Sequence, residues 1–373
     1  MEDYRSLFPV LKQWVFFNHA STAPLNQRAR ARLDEWTEDA TLNGNVNEGR
    51  WMGEIESRRA LAAKLINACE DEIAFLKNTS EGLALVAEGF PWKAGDNVVI
   101  CEGEYPANVY PWMNLADRGV EVRTVPLDGV RINPADIEAR CDSRTRVLSI
   151  SMVQFSTGFR SDLVRLGEMC QRRGIDFCVD AIQGLGVLPV DVESMRIDYL
   201  AADGHKWLTS PVGAAIFFIR ANKLDKIRPI SVGWKSIINH AEYSTIDFRL
   251  KPSAARHEEG SPNIAGILSL GASLQLFDEV GIHTISKRLK NVTDEAIDQL
   301  LAIGAKIVSP RGETEWSGIV SFIVEGKDPT AVVKACKKAG VVMSSRAGRL
   351  RISPHFYNNG DDIRRAVEVI RST

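Results

Sequence analysis

The chain has 373 residues, 45% of them hydrophobic and 25% charged, and a net charge of −2 at pH 7. That length exceeds one ordinary domain and predicts two, in a globular protein with no long basic run to recommend nucleic acid or an anionic membrane as a partner. The longest apolar run, near 214–219, is too short to span a bilayer, and the opening MEDYRSLFPVLKQW has no signal-peptide core. Six widely spaced cysteines make neither a disulfide framework nor a zinc pattern, so a reduced, cytoplasmic enzyme without a metal site is expected.

The apolar stretch 8–17 runs into Asn18-His19-Ala20-Ser21-Thr22-Ala23-Pro24, a turn of small and polar residues, before a helix rich in Arg, Ala and Glu. NGNVNEGRW at 43–51 reads as a loop, and Leu61 and Leu65 mark a helix over 57–68. A short strand at 73–76 leads into Asn78-Thr79-Ser80-Glu81-Gly82 and an apolar helix. Hydroxyls that open a helix are ordinary N-caps, yet the same helix end offers free N–H groups and the positive end of the dipole to an anion. A buried strand at 96–101 exits through Glu102-Gly103-Glu104-Tyr105. Strands at 120–125 and 147–151 flank a helix at 134–140, and the second is followed by Gln154-Phe155-Ser156.

After an amphipathic helix at 162–173 comes the stretch 179–208, VDAIQGLGVLPVDVESMRIDYLAADGHKWL. Two short apolar strands with turn and helix material between them suit a βαβ crossover in a parallel sheet. Functional groups collect where such strands end, so Asp180 and Lys206 should share a crevice. Taken alone, the two read as a structural ion pair. Downstream, 213–219 is expected as a strand soon after Lys206, and Gly233-Trp234, a turn and an aromatic, is expected near the mouth of the crevice. Ser261-Pro262-Asn263 looks like a helix start, with Ser261 as N-cap and Pro262 at the first helical position. From residue 264 the texture changes to long helices (264–280, 285–303) and short strands (307–308, 319–324). A helix at 329–339, VVMSS, LRIS and a final helix from 361 complete an α+β pattern. The expected division is a large domain at 18–262 and a small one at 263–373, with residues 1–17 packing on the latter.

VDAIQ followed by GHKW resembles the pyridoxal-phosphate (PLP) site of the class V aminotransferase and cysteine desulfurase family, and the resemblance covers nearly the whole chain. It implies the PLP-dependent transferase fold type I: an α/β large domain, its mostly parallel sheet sandwiched by helices, and a smaller C-terminal α+β domain. It also implies a homodimer with composite active sites. In that likeness Lys206 carries the cofactor and later acts as base, and Asp180 pairs with the pyridine nitrogen. Thr79, Ser80 and His205 cradle the phosphate, with Ser261 reaching in from the neighbouring subunit. Gln183 bonds the phenolic oxygen, and either Gln154 or Ser156 lies close to it. The segment around His19 lines the substrate side, which leaves His19 open between that role and a loop or capping one. Tyr105 stands where the desulfurases have a stacking histidine; its ring can stack but cannot imitate imidazole acid–base chemistry near neutral pH. Asp203 stands where the family often has Ser or Thr donating to the phosphate, and no role is assigned to it.

Arg349-Leu350-Arg351-Ile352-Ser353 and the following Tyr357-Asn358 resemble the family's Arg-x-Ser…Tyr-Asn block. Arg351 falls on the arginine that grips the substrate carboxylate bidentately, and Arg346 on a second family arginine. Desulfurases carry a nucleophilic cysteine between these two arginines; here only Ala-Gly-Arg-Leu separates them. The expectation is a class V aminotransferase-type enzyme acting at the α-amino group or α-carbon of a small amino acid. A C–S lyase acting on cystine or a cysteine conjugate, or an isopenicillin N epimerase-like enzyme, is the alternative. A catalytically silent PLP-binding protein comes last.

Overall fold

Runs such as Asn97–Cys101 and Ala215–Ile219 are buried along their whole length, as expected of strands covered on both faces. The structure, a computed structural model that describes residues 4–373, gathers these and five other strands into one sheet. Numbered after β1 (Val15–Phe16), they are β2 (Ile73–Leu76), β3 (Asn97–Cys101), β4 (Glu121–Val125), β5 (Thr145–Ser151), β6 (Asp176–Asp180), β7 (Tyr199–Asp203) and β8 (Ala215–Ile219). Their order is β2-β8-β7-β6-β5-β3-β4, and β8 alone runs against the rest. The edge strand β4 carries Glu121 and Arg123 towards solvent, which discourages further pairing.

Six helices belong to this part of the chain: α1 (Gln27–Asn43), α2 (Glu48–Ile66), α3 (Thr79–Gly89), α4 (Tyr110–Met113), α5 (Pro134–Arg140) and α6 (Leu163–Arg173). Alternate strand residues divide between two clusters. Val99, Ile150, Val179 and Leu200 meet α2, α5 and α6 on one face, while Val98, Val147, Cys178 and Ala201 meet α3 and α4 on the other. This is the layered α/β architecture expected, with helices on both faces of a mostly parallel sheet.

The remaining elements are α7 (Ile264–Val280), α8 (Ile282–Ala302), β9 (Lys306–Ile307), β10 (Val320–Ile323), α9 (Pro329–Lys338), β11 (Val341–Val342), β12 (Ser344–Arg346), β13 (Arg349–Ile352) and α10 (Gly360–Ser372). They build a four-stranded antiparallel sheet, β12-β13-β10-β9, over a third cluster that includes Val332, Leu350, Ile352 and Ile363. β1 pairs in parallel with β11, and Val15 and Phe17 join the same cluster. The part of the N-terminal expectation that falls on residues 1–3 lies outside the described residues. α7 packs along α1 and α2, and its Leu270, Leu274 and Phe277 belong to the cluster of the large sheet. α8 crosses between two of the clusters, with Ile285 and Leu289 in the first and Val292, Ala296 and Leu300 in the third. No helix among the described residues is long and apolar enough to cross a membrane.

Two sequence expectations are corrected. The connection from β6 to β7 contains turns and no helix, because Gly184, Gly186 at φ +96° and Pro189 interrupt any helical run. The loop expected at 43–51 shrinks to four residues, since α2 starts at Glu48. Trp51 explains this: it is buried, its Nε1 donates to Asp39 at 2.5 Å, and Arg50 stacks on its ring, so packing overrides a loop-like composition.

Gly82 sets how closely α3 approaches the sheet. A Cβ there would lie 2.7 Å from Ala201 Cβ and 3.1 Å from the Phe217 ring. Gly82→Ala gains about 1 kcal/mol in helix propensity, but overpacking against a short, rigid side chain costs about 1–3 kcal/mol. The expected result is a lower urea midpoint at unchanged slope. A midpoint that holds or rises would mean that α3 can shift away from β7.

Candidate active site

Strands β2, β3, β5, β6 and β7 all end at one edge of the large sheet, and their exits converge on a cavity of about 410 Å³. It is lined by Thr79 and Ser80 after β2, Tyr105 after β3, Phe155 after β5, Asp180, Ile182 and Gln183 at the end of β6, and Asp203, His205 and Lys206 at the end of β7. Ala20, Ser21 and Thr22 come from the N-terminal segment, and Arg346 and Arg351 from the small sheet. Nine of the ten sequence-selected residues therefore meet in one space, and Ser261 does not.

Lys206 sits in the turn that closes β7, and the residues around it are pinned. The His205 carbonyl accepts from Ala23 N–H at 2.8 Å. The Trp207 indole donates to Gln183 Oε1 at 3.0 Å, and the Trp207 carbonyl meets His355 Nε2 at 2.9 Å. Burial brings the Lys206 ammonium down to about 8, with Asp180 opposing the shift and Arg351 assisting it. Burial likewise pushes the Asp180 carboxyl up to about 6, while the Ile182 N–H, 3.0 Å away, and Lys206 pull it back. The pair interacts through space without closing an ion pair, so the structural salt bridge that the two residues suggest in isolation is absent.

The cap of α3 is Asn78, whose Oδ1 accepts from Glu81 N–H at 2.9 Å. Thr79 and Ser80 are thus relieved of capping. Their backbone N–H groups, in the first turn, have no partner within the helix. Thr79 Oγ1 accepts from Asp203 N–H at 2.9 Å, which leaves its own proton to donate. Here an anion would meet free N–H groups, hydroxyls and the positive end of a helix.

Tyr105 is 48% exposed and lies edge-on to Phe155 at 5.3 Å, with Lys206 Nζ 5.5 Å from its ring centre. Its backbone is fixed by Glu104, a buried carboxyl that accepts from Ser151 N–H at 2.7 Å and from Asn108 at 3.1 Å, and that burial pushes up to about 7. Gln154 and Ser156 both stay off the cavity wall. The Gln154 amide bonds the Gly103 carbonyl and accepts from Ser156 N–H at 2.7 Å, so both side chains are spent inside their own turn.

Arg351 faces away from Leu350 and Ile352, which enter the small core. It is 1% exposed, and its donors reach Ser344 Oγ at 3.1 Å, the Phe155 carbonyl at 2.6 Å and Ser21 Oγ at 3.2 Å. Arg346 shares that hydroxyl at 3.0 Å. No carboxylate pairs with either guanidinium among the described residues. Burial, with Arg346 beside it, brings Arg351 down to about 9. Arg346 pairs with Arg349 across the hairpin, and Ala347 and Gly348, at φ +49° and +72°, form the tight two-residue turn between them. None of the six cysteines lines the cavity.

His19 takes the structural role. It is fully buried between the Ser353 carbonyl (2.8 Å) and the Tyr357 hydroxyl (2.6 Å), and burial holds its imidazole well below the usual range. Ser21 and Thr22 face the cavity instead. Ser21, a shared acceptor for two arginines, was missed in the sequence, where only its place in a small-residue turn marks it. Ser261 is exposed and lines a separate groove with Lys77 and Glu259. The helix start there is capped by Asn263, which accepts from Gly266 N–H at 3.0 Å, so Ser261 is not the cap. Trp234 packs against His240 and Tyr243, away from the cavity.

The residues present fit PLP: a buried amine, an acid facing it, an open helix N-terminus and an exposed ring at the edge. Comparison with known proteins agrees. Residues 15–365 match the family model described as aminotransferase class-V. A probable cysteine desulfurase of Methanothermobacter thermautotrophicus is 30% identical, over 97% of this chain and 95% of that protein. Two solved structures of C-DES, each 21% identical and covering 98% of this chain, cover 98% and 99% of their own chains at TM-scores of 0.93 and 0.91. One is a variant with glycine covalently linked to its PLP cofactor, and the other is a complex of this cystine C–S lyase with its product cysteine persulfide. The chain belongs to the class V aminotransferase family and is a PLP-dependent enzyme.

Proposed function

We propose that the enzyme moves the amino group of a small amino acid, as an aminotransferase does, in a cytoplasmic homodimer. The observation that carries this reading is Arg351, a buried guanidinium with no acid partner, in the same cavity as Lys206 and Asp180. A buried cation without a carboxylate is costly, and a substrate carboxylate offsets that cost. When bound, PLP supplies the electron sink that weakens the bonds to the α-carbon.

The side chains then have distinct tasks. Asp180 keeps the ring nitrogen protonated. Lys206 holds the cofactor by its amine and takes up the α-proton once released. Tyr105 covers one face of the ring, and the start of α3 holds the phosphate. Gln183 has a second amide proton for the phenolic oxygen, its first being given to the Ala20 carbonyl at 3.0 Å. Arg351, with Arg346 and Ser21 beside it, orients the substrate carboxylate. Persulfide chemistry has no thiol to start from in this cavity. A second copy of the chain would bring Ser261 to the site, and six free cysteines suit a reducing compartment.

Single amino acids added to the PLP-loaded protein should convert the cofactor absorbance to the pyridoxamine form. Release of pyruvate with sulfide, and no such conversion, would move the assignment to β-elimination. An unchanged spectrum together with no release of pyruvate or sulfide from any amino acid would end both. Arg351→Lys should keep PLP but lose about 2–5 kcal/mol of transition-state binding, or about tens- to thousands-fold in kcat/KM. Amines without a carboxylate should be affected far less. Equal rates for parent and variant would place the anchor elsewhere.

The Lys206 shift sets a pH dependence. An amine reacts with an aldehyde only when unprotonated, and a Lys206 held near 8 is largely neutral above that pH. Capture of PLP by the cofactor-free protein should speed up about tenfold per pH unit up to about 8 and then level off, where an ordinary lysine would continue to about 10.4. A rate still climbing past pH 9 would mean that Lys206 is not depressed.

A further inference from the structure

Asp203 is a carboxylate in an anion cradle. It ends β7 with only 4% of its surface exposed and lines the same cavity as Asn78, Thr79 and Ser80. A fixed negative charge beside a phosphate repels it, and at a buried position the repulsion is poorly screened. Among the described residues, the one basic side chain within ion-pair distance of it is His205, whose Nδ1 lies 2.9 Å from Asp203 Oδ2. The His205 backbone N–H also approaches the other carboxylate oxygen at 3.4 Å. The ring is turned off the straight donor–acceptor line, and Nδ1 has no other partner. With Nδ1 towards Asp203, Nε2 lies on the far side of the ring, and His205 also lines the cavity.

We propose that Asp203 is a positioning residue: it holds His205 as an imidazolium whose second N–H, on Nε2, binds the cofactor phosphate. The pair is neutral as a unit, so it adds a charge-assisted donor without adding net repulsion. The phosphate in turn fixes the ring that is loosely held without it. A hydroxyl at position 203 would donate to the phosphate directly; the carboxylate works through its neighbour. This deepens the reading of Lys206 as the PLP-bearing residue and rests on it.

The test is a double-substitution cycle read on cofactor affinity and not on turnover. PLP, and pyridoxal as the analogue without phosphate, are titrated into the cofactor-free protein and into Asp203→Asn, His205→Asn and the double variant, following cofactor absorbance. Asp203→Asn keeps the shape and an acceptor but removes the charge. PLP binding should weaken about ten- to hundredfold, the worth of a hydrogen bond to a charged group, and pyridoxal binding should not change. In the His205→Asn background the same substitution should tighten PLP binding, because the carboxylate left alone there only repels. Tightening by Asp203→Asn with His205 in place, or equal effects on PLP and pyridoxal, overturns the proposal. Should Asp203→Asn not fold, Asp203→Ala, which removes the charge without adding a hydroxyl donor to the phosphate, tested for the same reversal of sign between the two backgrounds decides the matter. If the unaltered protein captures neither compound on Lys206, the cofactor assignment itself falls, a result that is visible before any substitution is made.

Discussion

Lys206, Asp180 and Arg351 are buried together around one cavity, and none closes an ion pair among the described residues. Leaving an ionised group buried and unpaired costs several kcal/mol, far more than a surface charge does. The rest of the structure depends on sustaining that arrangement. Shifts of Lys206 to about 8 and Asp180 to about 6 are the visible result, because burial makes each charge harder to hold. In the proposed reaction the missing partners come from outside the chain: a ring nitrogen for Asp180, an aldehyde for Lys206 and a carboxylate for Arg351.

A site that withholds compensation has to be held rigidly, or its side chains would turn towards one another. Buried polar contacts supply that rigidity. Asn26 caps α1 and donates to Thr209 Oγ1 at 3.0 Å and Ser273 Oγ at 2.8 Å, tying the turn after Lys206 to α7. Behind Trp207 lies a packed set of rings, His19, His355, Tyr357 and Phe8, whose two imidazoles are buried and neutral in character. On the other side Glu104 locks the turn that carries Tyr105. None of these groups lines the cavity, yet each limits how far a facing residue can move.

The sequence made the strand ends legible because chemistry and periodicity coincide there. Asp180 ends one apolar run and Lys206 follows another, and the parallel pairing of β6 with β7 places both at the same edge. The helices at 264–280 and 329–338 were legible from their residue pattern, although the cap of the first was misplaced at Ser261. What stayed hidden depended on contacts distant in the chain. The Phe155 carbonyl that accepts from Arg351 is 196 residues away from it, and Ser21, which accepts from both arginines, is 330 residues from Arg351. The early start of α2 was hidden because Trp51 is decided by its partner on α1. His19 was ambiguous for the same reason: an imidazole in a polar turn is explained only by Ser353 and Tyr357 at the far end of the chain.

α8 runs 21 residues without interruption and is anchored in the first and third hydrophobic clusters. The amine of the site belongs to the first cluster's sheet and the guanidinium to the third cluster's sheet. A helix of that length bends little, so α8 works as a ruler. In the proposed reaction it fixes the span between Lys206, which would hold the amino nitrogen, and Arg351, which would hold the carboxylate. That span is the one dimension shared by all α-amino acids, whatever their side chains. On the proposed reading such a ruler selects the α-amino-acid backbone as a class and leaves discrimination among side chains to the cavity wall opposite.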